Sequence, residues 1–390
     1  MKFKTTDEQL TVLFSGRIDT TNSEAISNEL TEIYNGNKRS SVILDFEDVD
    51  YISSAGLRFI LRFKRMVPDL SVLNTSPEVY EIFEMTGFTQ LMTIKKRFRK
   101  FSVDGCKVIG KGAKGTVYRI DPETIIKVYN SPDCLADIKK EQDLAKKAFI
   151  LGIPTAISYD VVKVDDTFGA VYELLDSSSL SLYISNEPAN INTYAGMFAE
   201  LLKNIHETEV NPKEMPDAKN LVFKWIEEAE PFLNGNDGNI LKGMIYSMES
   251  TNHMVHGDFH TNNVMIQDNE AMLIDMDTLS HGNPIFDLAN IYITYVGFAR
   301  LSPDYVEGFL GFPFELAKKF WSSFLPLYLG TNKPEKIKDV EDKTRLLSDV
   351  RLIRHIVRRS QHETEEGKKL IEELKNEISE LLQGINKLSI

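Results

Sequence analysis

The stretch that decides how this chain is read is residues 256–277, HGDFHTNNVMIQDNEAMLIDMD. It gathers His256, His260 and the carboxylates of Asp258, Asp268, Asp275 and Asp277 around short apolar runs. Three chemistries compete for such a set: a metal-ligand cluster, a polar surface loop, or the floor of a phosphate-transferring site. A zinc site would take both histidines as ligands, yet no cysteine lies nearby and no H-E-x-x-H helix is present. Phosphoryl transfer asks for something else: a group that holds an acceptor hydroxyl, and oxygen ligands that keep Mg2+ on the phosphates. Asp258 suits the first role. Asn263, in an Asp-x4-Asn loop, and Asp275, at the end of an apolar Ala-Met-Leu-Ile run, suit the second, and Asp277 is placed to assist a metal-bound water. His256 then braces the loop by hydrogen bonding, and His260 does the same or touches a substrate.

Upstream pieces weigh on that choice. GKGAKGTVY, residues 110–118, sets Gly110, Gly112 and Gly115 in a G-x-G-x-x-G frame. Alone the frame also fits a dinucleotide fingerprint, but that reading needs a helix after the last glycine, and TVYRI is β-branched and strand-like. Thr116 rather than lysine follows Gly115, so the loop is not a Walker A motif. Glycines between two strands let backbone N–H groups approach triphosphate oxygens; the plain alternative is a hairpin with a flexible tip. Lys127, within the apolar IIKVY, needs an anionic partner or a surface position. Glu141, on the following helix, is the best-placed carboxylate. Glycine loop, strand lysine, helix glutamate, Asp-x4-Asn and strand-end aspartate occur in the order of a kinase.

The rest of the chain sets the frame. At 390 residues it is long for one domain, and its 42% apolar and 26% charged content is that of an ordinary globular protein. A formal charge of −13 speaks against a chain built to coat nucleic acid. Cys106 and Cys134 read as reduced thiols of a cytoplasmic protein. Neither a signal peptide nor a membrane span is expected. The first hundred residues alternate strand-like and helix-like pieces. LTVLFSGRI, SVILDF and LSVLN are strands; TTNSEAISNELTEIYNGN, SSAGLRFILRFKRM and SPEVYEIFEMTG are helices. A basic run, Lys95, Lys96, Arg97, Arg99 and Lys100, reads as a linker or boundary strand. Beyond it a β-rich stretch precedes a helical one. The last helix spaces Ile371, Leu374, Ile378, Leu381, Ile385 and Leu388 by threes and fours, which suits a packed terminal helix better than a short coiled coil interrupted by Gly384.

With these residues in view, residues from about 100 onward resemble the protein-kinase-like superfamily, and within it the aminoglycoside phosphotransferase and choline-kinase-like branch. HGDFHTNNV is similar to that branch's H-G-D-x-x-x-x-N loop, LIDMDTLSHGNPIFDLA to its metal aspartate followed by Asp-Leu-Ala, and LLKNIHET to the helix before the loop. The resemblance implies a bilobal α+β fold using ATP and Mg2+, with Asp258 as catalytic base and Asn263 and Asp275 as metal ligands. It implies phosphates held by Lys127 paired with Glu141, adenine taken by backbone near Glu173 and Leu174, and a structural Asp287. Few residues separate Asp275 from Asp287, too few for a long activation loop, which favours a small-molecule acceptor. The three-glycine loop is the contrary sign, being closer to protein kinases.

The opening hundred residues resemble the STAS domain of anti-sigma-factor antagonists, an α/β unit with a mixed sheet. That family carries a phosphorylatable serine at the start of the helix after its second core strand, and the matching residue is Ser54. Ser53 replaces the family's preceding aspartate and Ala55 its second hydroxyl, so the likeness to a phosphosite is incomplete, and helix capping by Ser53 and Ser54 alone stands level with a regulatory site at Ser54. The expected organisation is a STAS-like domain over residues 1–97 and a phosphotransferase domain over 98–390, its β-rich lobe about 105–175 and its helical lobe about 176–390. The expected function is transfer of the γ-phosphoryl of ATP to a hydroxyl of a small amine, sugar or aminoglycoside-like alcohol. The STAS domain would serve regulation or docking of a protein partner. Arg351, Arg354, Arg358 and Arg359 would equally serve an anionic acceptor. Two alternatives stand beside it: a signalling kinase acting on Ser54 or a partner STAS domain, and a scaffold that binds nucleotide without transfer.

Overall fold

The computed structural model describes residues 1–112, 114–174, 177–249, 251–267 and 270–390. The chain divides into two compact units, residues 1–102 with 161–166, and residues 103–160 with 167–390.

In the first unit the alternation of Leu10, Val12 and Phe14 sends one face of the strand Gln9–Ile18 into the core. The strand Ser41–Ile52 does the same with Val42, Leu44 and Phe46. Five strands form one sheet in chain order, Lys2–Thr5, Gln9–Ile18, Ser41–Ile52, Asp69–Thr75 and Thr93–Lys96. The first pair is antiparallel and the others are parallel, so helices Ser23–Gly36, Ser54–Met66 and Pro77–Met85 make the crossovers. The two outer strands escape the hydrophobic pattern. Lys2–Thr5 is wholly exposed, and Thr93–Lys96 takes up the front of the basic run; charged, polar edges of this kind discourage pairing with other chains.

In the second unit, strands Thr167–Glu173, Thr124–Tyr129, Gly115–Arg119 and Lys107–Lys111 lie side by side in that order, all antiparallel. The helix Leu135–Ile150 is inserted between Thr124–Tyr129 and the later strands, as the sequence suggests. Thereafter the chain is mainly helical. Its core centres on Phe198, whose ring lies 4.3 Å from that of Phe259 and 5.2 Å from those of Phe320 and Phe324. The final helix, Glu365–Gly384, buries Leu370, Ile371, Leu374 and Ile378, and the segment after it buries Ile385 and Leu388. The three-four spacing therefore serves this chain's own core. Among the described residues no helix is long and apolar enough to cross a membrane.

The helix Ser54–Met66 separates the two adjacent serines. Ser53 is the cap: its Oγ accepts from the N–H groups of Ala55 at 3.2 Å and Gly56 at 3.4 Å. Ser54 is the first helical residue and is exposed. Ser53→Ala is therefore expected to destabilise the first unit by about 1 kcal/mol in urea denaturation, and Ser54→Ala to stay within about 0.5 kcal/mol of the parent. Equal losses would show that both hydroxyls hold the helix.

Candidate active site

The strand Thr124–Tyr129 sets Lys127 opposite Val117 on one side and Ala170 on the other. Residues two apart on a strand share a face, so Tyr129 and, through the Ala170 register, Tyr172 lie on the same side as Lys127. All three meet Glu141, a buried carboxylate on the helix Leu135–Ile150. Lys127 Nζ donates to its two oxygens at 2.9 and 3.1 Å. Tyr129 donates its hydroxyl to Oε2 at 2.7 Å and Tyr172 to Oε1 at 3.1 Å. Burial and the Glu141 charge push both phenols upward, so they remain donors. The expected lysine–glutamate pair is present, and the tyrosines that fix it are an addition. A lysine-x-tyrosine pair on one strand was visible in the sequence; Tyr172 needs the sheet register.

The loop after Val255 is held from beneath by Asp287, which is fully buried on the helix Ile285–Tyr295. Its carboxylate accepts from the backbone N–H of His256 at 2.7 Å and of Gly257 at 2.6 Å, and His206 Nε2 lies 3.0 Å away. Burial acts to raise this carboxyl, but His206, His256 and the backbone donors outweigh it and hold it below the usual range. Asn290, one turn on, donates to the Gly257 carbonyl at 2.7 Å. Gly257 has φ +82°, and a Cβ there would lie 2.8 Å from the Thr278 carbonyl oxygen, so only glycine makes this turn without strain.

Asp258 projects from that turn with its side chain half exposed. His256 is wholly buried, and its Nδ1 accepts from the Asp258 N–H at 3.3 Å, which is the bracing role expected of it. Burial keeps this imidazole neutral by lowering its pKa. His260 Nε2 stands 3.6 Å from Asp258 Oδ2, its ring edge-on to Phe309. Burial pushes the Asp258 carboxyl up, but His260 and the Arg351 charge prevail and bring it down to about 2. Asn263 donates its amide to the Asp258 carbonyl at 3.1 Å, leaving its Oδ1 as an acceptor. Across the hairpin mouth Ile274 N–H donates to the Asn263 carbonyl at 2.9 Å, which sets Asn263 beside Asp275.

Oxygen atoms of Glu141, Asp275 and Asp277 all lie within 4.8 Å of one another. Two lysines offset their repulsion: Lys127 Nζ is 3.6 Å from Asp275 Oδ1, and Lys114 forms an ion pair with Asp277. Asp275 Oδ1 is buried and accepts no hydrogen bond from the described residues, whereas Glu141 is fully engaged. An all-oxygen set in which Asp275 Oδ1 and Asp277 Oδ2 are buried and accept no hydrogen bond from the described residues fits a hard divalent cation, with either aspartate able to offer a ligand. Among the described residues no histidine joins this group, so the zinc reading has no support. Asp275 itself takes a left-handed backbone, φ +64°. Asp268 lies outside the described residues.

The glycines divide by function. A Cβ at Gly115 would come within 2.3 Å of the Val128 carbonyl oxygen, so this glycine is demanded by the sheet. Gly110 and Gly112 have room for a side chain, with nearest atoms 3.7 and 3.9 Å away, so packing does not explain them. At the far end of the sheet, Glu173 pairs with Thr124, and the Leu174 N–H donates to the Glu123 carbonyl at 2.6 Å. The Leu174 amide is thus already engaged, and of its two backbone groups only the carbonyl is left for a base.

A model of the phosphotransferase enzyme family matches residues 105–318. The chain belongs to that family. The STAS domain model matches residues 1–100, and BtrV of Bordetella bronchiseptica, named as an anti-sigma factor antagonist, is 32% identical over 93 residues, 23% of this chain and 78% of that protein. The phosphotransferase is also similar to solved structures. An ADP-bound aminoglycoside phosphotransferase APH(2'')-Ib aligns over 77% of this chain and 98% of its own, at 15% identity and a TM-score of 0.48. A streptomycin–ATP complex of APH(2'')-IIa aligns over 77% and 99%, at 16% and 0.47. A choline/ethanolamine kinase family protein from Mesorhizobium loti aligns over 71% and 88%, at 11% and 0.43. The phosphotransferase family match thus follows a STAS domain match at residues 1–100, in the order the motifs imply.

Asp287→Asn would keep one acceptor oxygen and turn an amide nitrogen toward the N–H donors on the other side, leaving those unpaired. The variant is expected to lose about 3 kcal/mol of stability at pH 7 in urea denaturation. Because the folded carboxyl is depressed, its contribution is present above about pH 4 and fades as pH falls through the folded value, so the variant's stability should vary less with pH in acid.

Proposed function

We propose that this phosphotransferase transfers the γ-phosphoryl of ATP, in the presence of Mg2+, to a hydroxyl of a small molecule. The observation that carries the reading is the convergence of Lys127, held by Glu141, with Asp275, whose buried oxygen has no hydrogen-bond donor. The phosphotransferase domain is assigned to residues 98–390 and the STAS domain, for regulation or protein docking, to 1–97.

In this reading Gly110 and Gly112 leave space for backbone amides to approach phosphate oxygens, and Lys127 contributes charge to them. Asp275 and the free Oδ1 of Asn263 are the residues that would hold Mg2+, which neutralises phosphate charge when bound. Adenine would lie against the backbone at Glu173 and Leu174, through the carbonyl in the case of Leu174. The acceptor oxygen bonds to the γ-phosphorus, the bond from that phosphorus to the bridging oxygen breaks, and the hydroxyl proton passes to Asp258. A carboxylate with a pKa of about 2 is a weak base toward an alcohol. Its main contribution is therefore to orient the hydroxyl by accepting its hydrogen bond, with proton transfer late, as suits a loose transition state.

Asp258→Asn is expected to lower kcat by roughly 10²–10⁴-fold in an ADP-release assay over a panel of alcohols, with an unchanged melting temperature. Full turnover in that variant would remove Asp258 from the mechanism.

A second reading keeps the chemistry and changes the acceptor to a protein hydroxyl. It is favoured by one observation: Ser53 does the capping, so the exposed Ser54 hydroxyl is not needed by its helix. Incubation with Mg-ATP followed by phosphopeptide mass spectrometry decides it. Label on Ser54 supports this reading, and turnover of a small alcohol without label returns the first.

A further inference from the structure

The longest helix of the second unit, Pro334–Arg358, ends in an unusual concentration of positive charge for a chain with a formal charge of −13. Arg351, Arg354, His355, Arg358 and the next residue, Arg359, line a cavity of about 480 Å³ with Phe298 as its apolar wall. The Phe298 and His355 rings are 4.8 Å apart. One carboxylate answers these guanidinium groups directly: Glu228 Oε2 lies 3.0 Å from Arg354 Nε and 3.1 Å from Arg358 Nε. Among the described residues, Glu228 meets Arg354 and Arg358 and the charges of Asp258 and Asp287 act on Arg351, so the outer guanidinium groups, Arg354, Arg358 and Arg359, outnumber the carboxylate beside them and leave that end of the pocket net positive.

The cavity is tied to the catalytic loop. Arg351 lies over the Trp225 ring at 5.1 Å and donates to Asn290 Oδ1, while Asn290 donates to the Gly257 carbonyl next to Asp258. The Arg351 charge is also among those acting on Asp258. One residue therefore lines the pocket and reaches, through a single amide, the turn that presents Asp258.

We propose that this cavity binds the acceptor, and that the acceptor is an anionic alcohol bearing a phosphate or carboxylate group. The inference rests on the phosphotransferase reading for its word acceptor, and on the cavity alone for its word anionic. Guanidinium forks match the planar or tetrahedral oxygens of those two groups, and a cavity of this size holds a molecule of sugar dimensions. A polycation such as an aminoglycoside would meet like charge here, which excludes it on electrostatic grounds.

The test is calorimetric titration of the nucleotide-free full chain with glucose 6-phosphate, with gluconate and with kanamycin. One of the two anionic alcohols is expected to bind and to be displaced by inorganic phosphate, and which one binds tells phosphate from carboxylate. Arg358→Gln and Arg359→Gln both alter exposed side chains and should each weaken that binding at least tenfold while melting like the parent. Binding of kanamycin with neither anion bound, binding of none of the three, or anion binding unmoved in both arginine variants overturns the proposal. Titration reads binding without turnover, so a failure of Asp258 to act in phosphotransfer leaves this result standing, and a failure here leaves the Asp258 result standing.

Discussion

One carboxylate without access to water, that of Asp287, is the constraint on which the site depends. A charge so placed persists only if donors surround it, and among the described residues its donors are the backbone amides of His256 and Gly257 and the imidazole of His206. The chain after Val255 is thereby drawn down onto the helix Ile285–Tyr295. Gly257 accepts the positive φ this requires, and Asp258 is turned outward. His206 is in turn fixed by Tyr328, whose hydroxyl lies 2.7 Å from its Nδ1. The network therefore spans three helices and a loop, and the direction in which Asp258 points is set by groups buried beneath it.

A second carboxylate, Glu141, does the corresponding work in the sheet. Three donors converge on it from two neighbouring strands, so Lys127 cannot wander over the several rotamers a free lysine would sample. Glu141 fixes a positive charge and Asp287 fixes a negative one, and the unsatisfied oxygen of Asp275 lies near the first.

Much of this was legible in the sequence, because phosphate chemistry requires particular residue types, and the chain carries them in the order of the family it resembles. Glycine loop, lysine, glutamate, Asp-x4-Asn and strand-end aspartate carry that order whatever the surrounding residues are. The two-unit organisation showed in the change from regular strand–helix alternation to a β-rich stretch followed by helices. What could not be read depends on pairing across distance. Tyr172 joins Glu141 only through the register of Thr167–Glu173 against Thr124–Tyr129. The edge strand Lys2–Thr5 buries nothing, so it leaves no hydrophobic period to detect. The engagement of the Leu174 amide with Glu123 likewise follows from a strand end meeting a turn. Ser53 and Ser54 looked interchangeable as caps until the backbone assigned one hydroxyl to the helix and left the other outside it.

The left-handed backbone at Asp275 narrows which replacements can be informative there. Most residues lose about 1–2 kcal/mol in that conformation, while aspartate and asparagine tolerate it because their short polar side chains bond locally. Alanine at this position would therefore change shape and charge together, and glycine would add freedom that the parent lacks. Asparagine alone keeps the turn while removing the charge. The same geometry limits natural drift: a residue that fits this bend and also offers an anionic oxygen is aspartate, so conformation and chemistry select it twice.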